Sequence, residues 1–115
     1  MFTIYFERNV AEWNGKTYSL SDRLMQMLIL VGAYGRENRP IDGRFIGFMM
    51  GDGLEYGSYK NSRNARAVVT RIRKQIPGLL MSKYGNRYKL GGYYLSDSLA
   101  IRRIRKPQNE SEETR

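Results

Sequence analysis

The apolar positions of the chain fall into short alternating runs at the amino terminus, helical patterns in the middle and a less regular end. Phe2, Ile4 and Phe6 alternate with Thr3, Tyr5 and Glu7, the period of a half-buried strand. Ala11-Glu12-Trp13 and Lys16-Thr17-Tyr18 then flank Asn14-Gly15. Asn-Gly between two extended runs predicts a β-hairpin, because both central residues of a type I′ turn need positive φ. A first helix is predicted to start at Ser19 or Ser21, where a serine hydroxyl can accept from an unpaired first-turn amide and Asp22 meets the positive end of the helix dipole. Leu24, Met27, Leu28 and Val31 recur at i, i+3, i+4 and i+7 and form its core-facing stripe, with Gly32 and Gly35 as the expected stop.

Pro40-Ile41-Asp42 reads as an extended residue followed by a helix cap. Phe45, Ile46, Phe48 and Met49 then predict a short, mostly buried second helix closed by Gly51 and Gly53, and Gly51 to Ser62 lacks apolar periodicity and reads as a loop. The third helix is predicted from Ser62 or Arg63 to Ile76, stopped by Pro77-Gly78. Ala65, Val68, Val69, Ile72 and Ile76 share one stripe, which leaves Arg63, Asn64, Arg66, Ala67, Thr70, Arg71, Arg73 and Lys74 facing out. Leu79 to Ser82 and Arg87 to Leu90 are two short extended runs around Lys83-Tyr84-Gly85-Asn86, a predicted basic hairpin. Over 92–106 two readings stay open: Ser96 capping a helix that carries Leu99 and Ile104, or strands at Tyr93-Tyr94-Leu95 and Leu99-Ala100-Ile101. A strand followed by a basic helix or arm is the expectation. The fold class is α+β, in one domain over 1–106, and 107–115, without apolar content, is expected to be a disordered acidic tail.

Composition narrows the chemistry. With 115 residues and 41% hydrophobic side chains the chain can bury one ordinary core. No apolar run approaches the roughly 20 residues that span a bilayer, and no basic-then-apolar leader opens the sequence, so a cytoplasmic, nucleoid-associated protein without a membrane partner is expected. There is no cysteine and no histidine, which excludes disulfides, thiolate or imidazole metal sites, and any catalysis that uses either side chain. Asp22, Asp42 and Asp52 are scattered rather than paired, so no catalytic residue, cofactor or metal is expected.

Charge is the strongest signal. Residues 1–57 carry 6 Lys+Arg against 7 Asp+Glu, residues 58–108 carry 13 against Asp97 alone, and the last seven carry Glu110, Glu112 and Glu113 against Arg115. A solvated surface needs charge but not one sign, whereas a polyanion rewards one sign through attraction and counterion release. No acidic residue interrupts the third helix from Arg63 to Lys74, so its cations are not an i,i+4 salt-bridge face. Arginine can donate two bonds to guanine O6 and N7, and small side chains leave room or touch a thymine methyl. Base readout is therefore assigned chiefly to Arg63, Arg66, Thr70 and Arg71, with Ala67 leaving room beside them, and backbone contacts to Asn64, Arg73 and Lys74. The hairpin tip adds Lys83, Tyr84, Asn86 and Arg87 over phosphates or a minor groove, while Tyr88 is expected in the core.

The order hairpin, helix, short helix, loop, basic helix, basic hairpin resembles the OmpR/PhoB-type winged-helix effector domain of response regulators. Asn14-Gly15-Lys16-Thr17-Tyr18-Ser19-Leu20 ahead of Leu24 and Leu28 is similar to that family's hairpin leading into its first helix. Val68-Val69-Thr70-Arg71-Ile72-Arg73-Lys74-Gln75-Ile76 is similar to its recognition helix, and Gly85-Asn86-Arg87-Tyr88-Lys89-Leu90 to its Gly-x-Gly-Tyr-Arg-apolar wing, with Arg87 in place of the second glycine. The resemblance covers about residues 10–91 and implies a winged helix-turn-helix: three helices, a short amino-terminal β-hairpin or sheet and a carboxy-terminal wing. It also implies a regulator of transcription that binds double-stranded DNA, here without a receiver domain, with base contacts from Arg63, Arg66, Ala67, Thr70 and Arg71 and wing contacts from Ser82, Lys83 and Tyr84. Binding as a homodimer or tandem pair is expected, because one such domain buries little surface. Two alternatives stand beside it: a protein-interaction module that contacts RNA polymerase or another regulator, and a binder of structured RNA.

Overall fold

In the computed structural model, which describes residues 1–51, 59–85 and 91–103 and only the backbone of 59–62, β1 (Phe2–Tyr5) buries Phe2 and Ile4 against the core. The expected alternation stops there. Tyr5 is also buried, and Phe6 enters a 3₁₀ turn (Phe6–Arg8) that ends at Asn9 in the left-handed region, leaving the Phe6 ring partly in solvent. β2 (Val10–Trp13) and β3 (Lys16–Ser19) form the predicted hairpin, with positive φ at both Asn14 (52°) and Gly15 (78°).

Helix α1 (Asp22–Tyr34) starts at Ser21, whose hydroxyl accepts the Leu24 amide at 3.3 Å. Its buried residues are Leu24, Met27, Leu28 and Val31, the predicted stripe, each worth about 1.5–3 kcal/mol when removed from water. Gly32 does not stop the helix, contrary to expectation; Gly35 does. A Cβ at Gly32 would lie 2.6 Å from Leu99 Cδ2 and 2.9 Å from Leu99 Cβ, so glycine here lets a strand from the far end of the chain pack onto α1.

Asp42 caps α2 (Gly43–Met49), accepting the Arg44 amide at 3.1 Å. This helix was expected to be mostly buried, yet it buries Gly43, Ile46 and Gly47, while Phe48 is 43% and Met49 46% exposed. A seven-residue helix with apolar side chains on more than one side, Phe45, Ile46, Phe48 and Met49, can turn only one face to the core. Helix α3 (Tyr59–Gln75) begins earlier than predicted, so the tail of the expected loop, 59–62, is helical; the rest of that loop, 52–58, lies outside the described residues. Its stripe is buried as predicted: Ala65, Val68, Val69, Ile72 and Ile76 are each at most 3% exposed. Gly78, with φ of 86°, turns the chain out of the helix.

β4 (Leu80–Lys83) follows, and its antiparallel partner is β5 (Gly92–Leu95), from Leu80 opposite Leu95 to Lys83 opposite Gly92. The expected return strand, Arg87–Leu90, lies outside the described residues. Ile41 bridges β5 through two bonds with Tyr93, at 2.9 and 2.8 Å. β6 (Leu99–Arg102) then joins the first sheet parallel to β1, giving the order β3-β2-β1-β6. The segment after Ser96 is therefore a strand, not a capped helix; Ile104, Arg105, Lys106 and the acidic tail lie outside the described residues. Among the described residues the architecture is α+β: three α-helices, amino-terminal strands in a mixed four-stranded sheet and a separate two-stranded hairpin. Among the described residues no helix is long and apolar enough to cross a membrane.

Asp97, between β5 and β6, knits the two ends of the first sheet. Its carboxylate accepts from the Met1 ammonium at 2.7 Å, the Trp13 indole at 3.1 Å and the Ser98 amide at 2.8 Å. These donors, the ammonium first, hold its pKa at about 2, below the ordinary 3.8. The unfolded chain binds the proton more readily, so this stabilisation is present above 3.8 and is lost as pH falls toward 2. Asp97→Asn is expected to lower stability at neutral pH and to flatten the acid limb of a urea-denaturation stability curve. An acid limb as steep as that of the unmodified chain would show that Asp97 does not set it.

Candidate nucleic-acid interface

Every described cation and small residue that the sequence assigns to base contact sits on the solvent side of α3. Arg63, Arg66, Ala67, Thr70 and Arg71 are exposed, as are Arg73 and Lys74, and Asn64 is half-buried. With about 3.6 residues per turn, Arg63, Ala67, Thr70 and Lys74 form the ridge opposite the buried stripe. Arg66 and Arg73 lie on the flank toward the β4–β5 hairpin, and Arg71 lies on the other flank. Arg73 and Lys74 in the last turn also suit the negative end of the helix dipole.

The structure gathers part of this set into one cleft of about 520 Å³ between α3 and the hairpin. Arg66, Thr70 and Arg73 line one wall, Ser82, Lys83 and Tyr84 the other, and Tyr93 and Gly92 the floor. Arg63, Ala67, Arg71 and Lys74 do not line it. Asn86 and Arg87, assigned to the hairpin tip, lie outside the described residues.

Several of these groups already have protein partners. Thr70 Oγ1 donates to the Arg66 carbonyl at 3.0 Å, which spends its proton and leaves its methyl and lone pairs outward. Arg73 Nε donates to the Leu80 carbonyl at 3.3 Å, keeping its two terminal nitrogens toward the cleft side. Lys83 Nζ donates to the Glu37 carbonyl at 2.9 Å. Tyr84 has no such restraint and is 97% exposed. Gln75 holds the end of α3 to the first sheet by donating to the Ser19 carbonyl.

Tyr93 is the cleft residue that sequence reasoning missed. Burial pushes its phenol pKa up, against the opposing fields of Arg73 and Arg66, so at neutral pH it remains a hydrogen-bond donor. The signal was present as a second Tyr-x-Leu, at Tyr93-Tyr94-Leu95, five residues after Tyr88-Lys89-Leu90.

Among the described residues the carboxylate lining the cleft is Asp42, and it is paired with Arg44 Nε at 3.1 Å, so its charge is partly neutralised by a neighbour on its own helix. What remains is a wall of guanidinium, ammonium, hydroxyl and phenol, which suits an anionic group, phosphate or carboxylate, and disfavours a cationic one. No family model matches the chain, and neither a curated protein nor a solved structure does.

Proposed function

We propose that the chain is a winged-helix protein that binds double-stranded DNA at chosen sequences and regulates transcription, with α3 in the major groove and the β4–β5 hairpin as its wing. The observation that carries this reading is the face of α3 from Arg63 to Lys74, exposed, without an acidic residue, and continuous with the basic cleft under the hairpin. Arg63, Arg66, Ala67, Thr70 and Arg71 read base edges. Asn64, Lys74, Ser82, Tyr84 and Tyr93 meet the sugar-phosphate backbone, which fixes register without sequence information. Ile41 adds a third extended segment beside the hairpin, as a wing set against the helices requires. Two copies, as a homodimer or a tandem pair, supply the area that one domain lacks.

Selection of bound sequences from a random duplex pool tests the reading. A recurring motif is expected, and duplex RNA of the same sequence should compete poorly, because its deep major groove does not admit a helix. Uniform retention of all sequences would reduce the protein to a non-specific binder.

A second reading draws on α2. Phe48 and Met49 are exposed there, and Tyr34 packs edge-on to Phe45 with ring centroids 6.4 Å apart, an aromatic patch that suits a protein partner such as RNA polymerase or another regulator. Loss of both regulation and DNA binding in Arg71→Ala, with protein partners retained, would sink it.

A further inference from the structure

We infer that Lys83 is a positioning residue that braces the outer end of the β4–β5 hairpin on helix α1, and is not a ligand of the DNA backbone; the inference rests on the DNA-binding reading above. Charge alone assigns Lys83 to phosphate. Its contacts assign it elsewhere.

Lys83 ends β4 at the last paired rung, opposite Gly92, and beyond it Tyr84 stands almost wholly in solvent. Below that rung the hairpin is fastened to the rest of the fold at two levels: Arg73 Nε donates to the Leu80 carbonyl at 3.3 Å, and Ile41 and Tyr93 exchange two backbone bonds. The Lys83 ammonium makes the outermost fastening, donating to the Glu37 carbonyl at 2.9 Å.

The anchor it reaches is itself held. Glu37 lies in a turn closed by reciprocal backbone bonds between Arg36 and Arg39, at 3.0 and 2.9 Å. Arg36 Nη1 then donates to the carbonyls of Gly32 at 3.1 Å and Gly35 at 2.7 Å, the last turn of α1 and its cap. A continuous path of hydrogen bonds thus runs from the hairpin through the 36–39 turn to α1. An ammonium drawn away to a phosphate would release the end of the hairpin just as its tip needed a fixed height over the DNA.

The test reads the brace and the phosphate contact separately, in the full chain. Amide hydrogen exchange of the free protein at Ile41 and Tyr93 reports the junction that the brace protects. The salt dependence of binding to a random-sequence DNA duplex reports phosphate contacts, each of which contributes about 0.9 to the slope of log K against log salt. Lys83→Met is expected to speed exchange at both amides roughly three- to fivefold, the loss of one exposed hydrogen bond, while the slope stays at its starting value. Lys83→Arg, which keeps a donor of similar reach, is expected to restore the slow exchange. A slope lowered by about 0.9 in Lys83→Met overturns the proposal whatever the exchange does, as does unchanged exchange. If the unmodified protein binds no duplex, the DNA-binding reading fails, and the exchange measurement still decides the brace.

Discussion

Gly92→Ala is expected to destabilise the protein by about 2–4 kcal/mol, of the order of 10 °C in Tm, and to detach the hairpin from the helices. The reason is space, not backbone conformation. A Cβ at Gly92 would press into the carbonyl group of Ile41 and lie 3.1 Å from the Asp42 amide, and these are backbone atoms that no rotamer change can move aside. Overpacking of this kind costs about 1–3 kcal/mol, and relieving it would part the two Ile41–Tyr93 bonds, each worth about 1 kcal/mol. Asp42 is also the cap of α2, so the strain reaches the start of that helix.

Gly15→Ala is the comparison. Gly15 has a positive φ but nothing within 4 Å of a Cβ, so alanine there is expected to cost only the left-handed backbone, about 1–2 kcal/mol. Urea denaturation of the two variants measures the difference. If Gly92→Ala were no more destabilised than Gly15→Ala, β5 would not be packed on Ile41, and the cleft would lose its floor.

The parts of this fold that were legible in the sequence are those whose signal is local and repeated. The stripes of α1 and α3 carry four and five apolar residues at helical spacing, and all nine are buried. Ser21 and Asp42 sit at caps, and Asn14-Gly15 makes its hairpin, because each satisfies a requirement of its immediate neighbours. The parts that were not legible depend on distant partners. β6 pairs Phe2 with Leu99 and Ile4 with Ile101, and nothing near Leu99 announces β1 as its partner. Gly32 read as a helix stop because a glycine that ends a helix and one that admits a neighbour look alike in sequence; only Leu99 against it decides. Tyr93-Tyr94-Leu95 read only as a possible strand of its own, because its pairing with β4 and its bridge to Ile41 are set by partners outside its own run.

The candidate site divides along the same line. That α3 is a basic, acid-free face was legible, since side-chain type and helical phase determine it. Which cations are already engaged was not. Arg73 and Lys83 donate to the carbonyls of Leu80 and Glu37, partners that no charge count can reveal. Tyr93 enters the cleft only through the register of β4 with β5.

Arg66→Ala and Lys74→Ala should separate base reading from phosphate anchoring on one helix, and in the bound-sequence selection they are expected to fail in different ways. Arg66 leans toward the hairpin from the first half of the described α3 face and lines the cleft. Removing a bidentate arginine contact costs about 1–3 kcal/mol of discrimination at one base pair, so Arg66→Ala should relax the selected motif at a single position and leave the others sharp. Lys74 stands two turns further along the outward ridge, near the helix end, with a point charge and no planar fork to read a base edge. Lys74→Ala should weaken binding to all sequences alike and lower the salt slope by about 1, with the motif unchanged. If both variants only weakened binding uniformly, α3 would be an electrostatic contact and the site-specific reading would fall. If Lys74→Ala blurred one position instead, the helix would lie deeper in the groove at its carboxyl end, and the assignment of base contact to the Arg63–Arg71 segment would have to move along it.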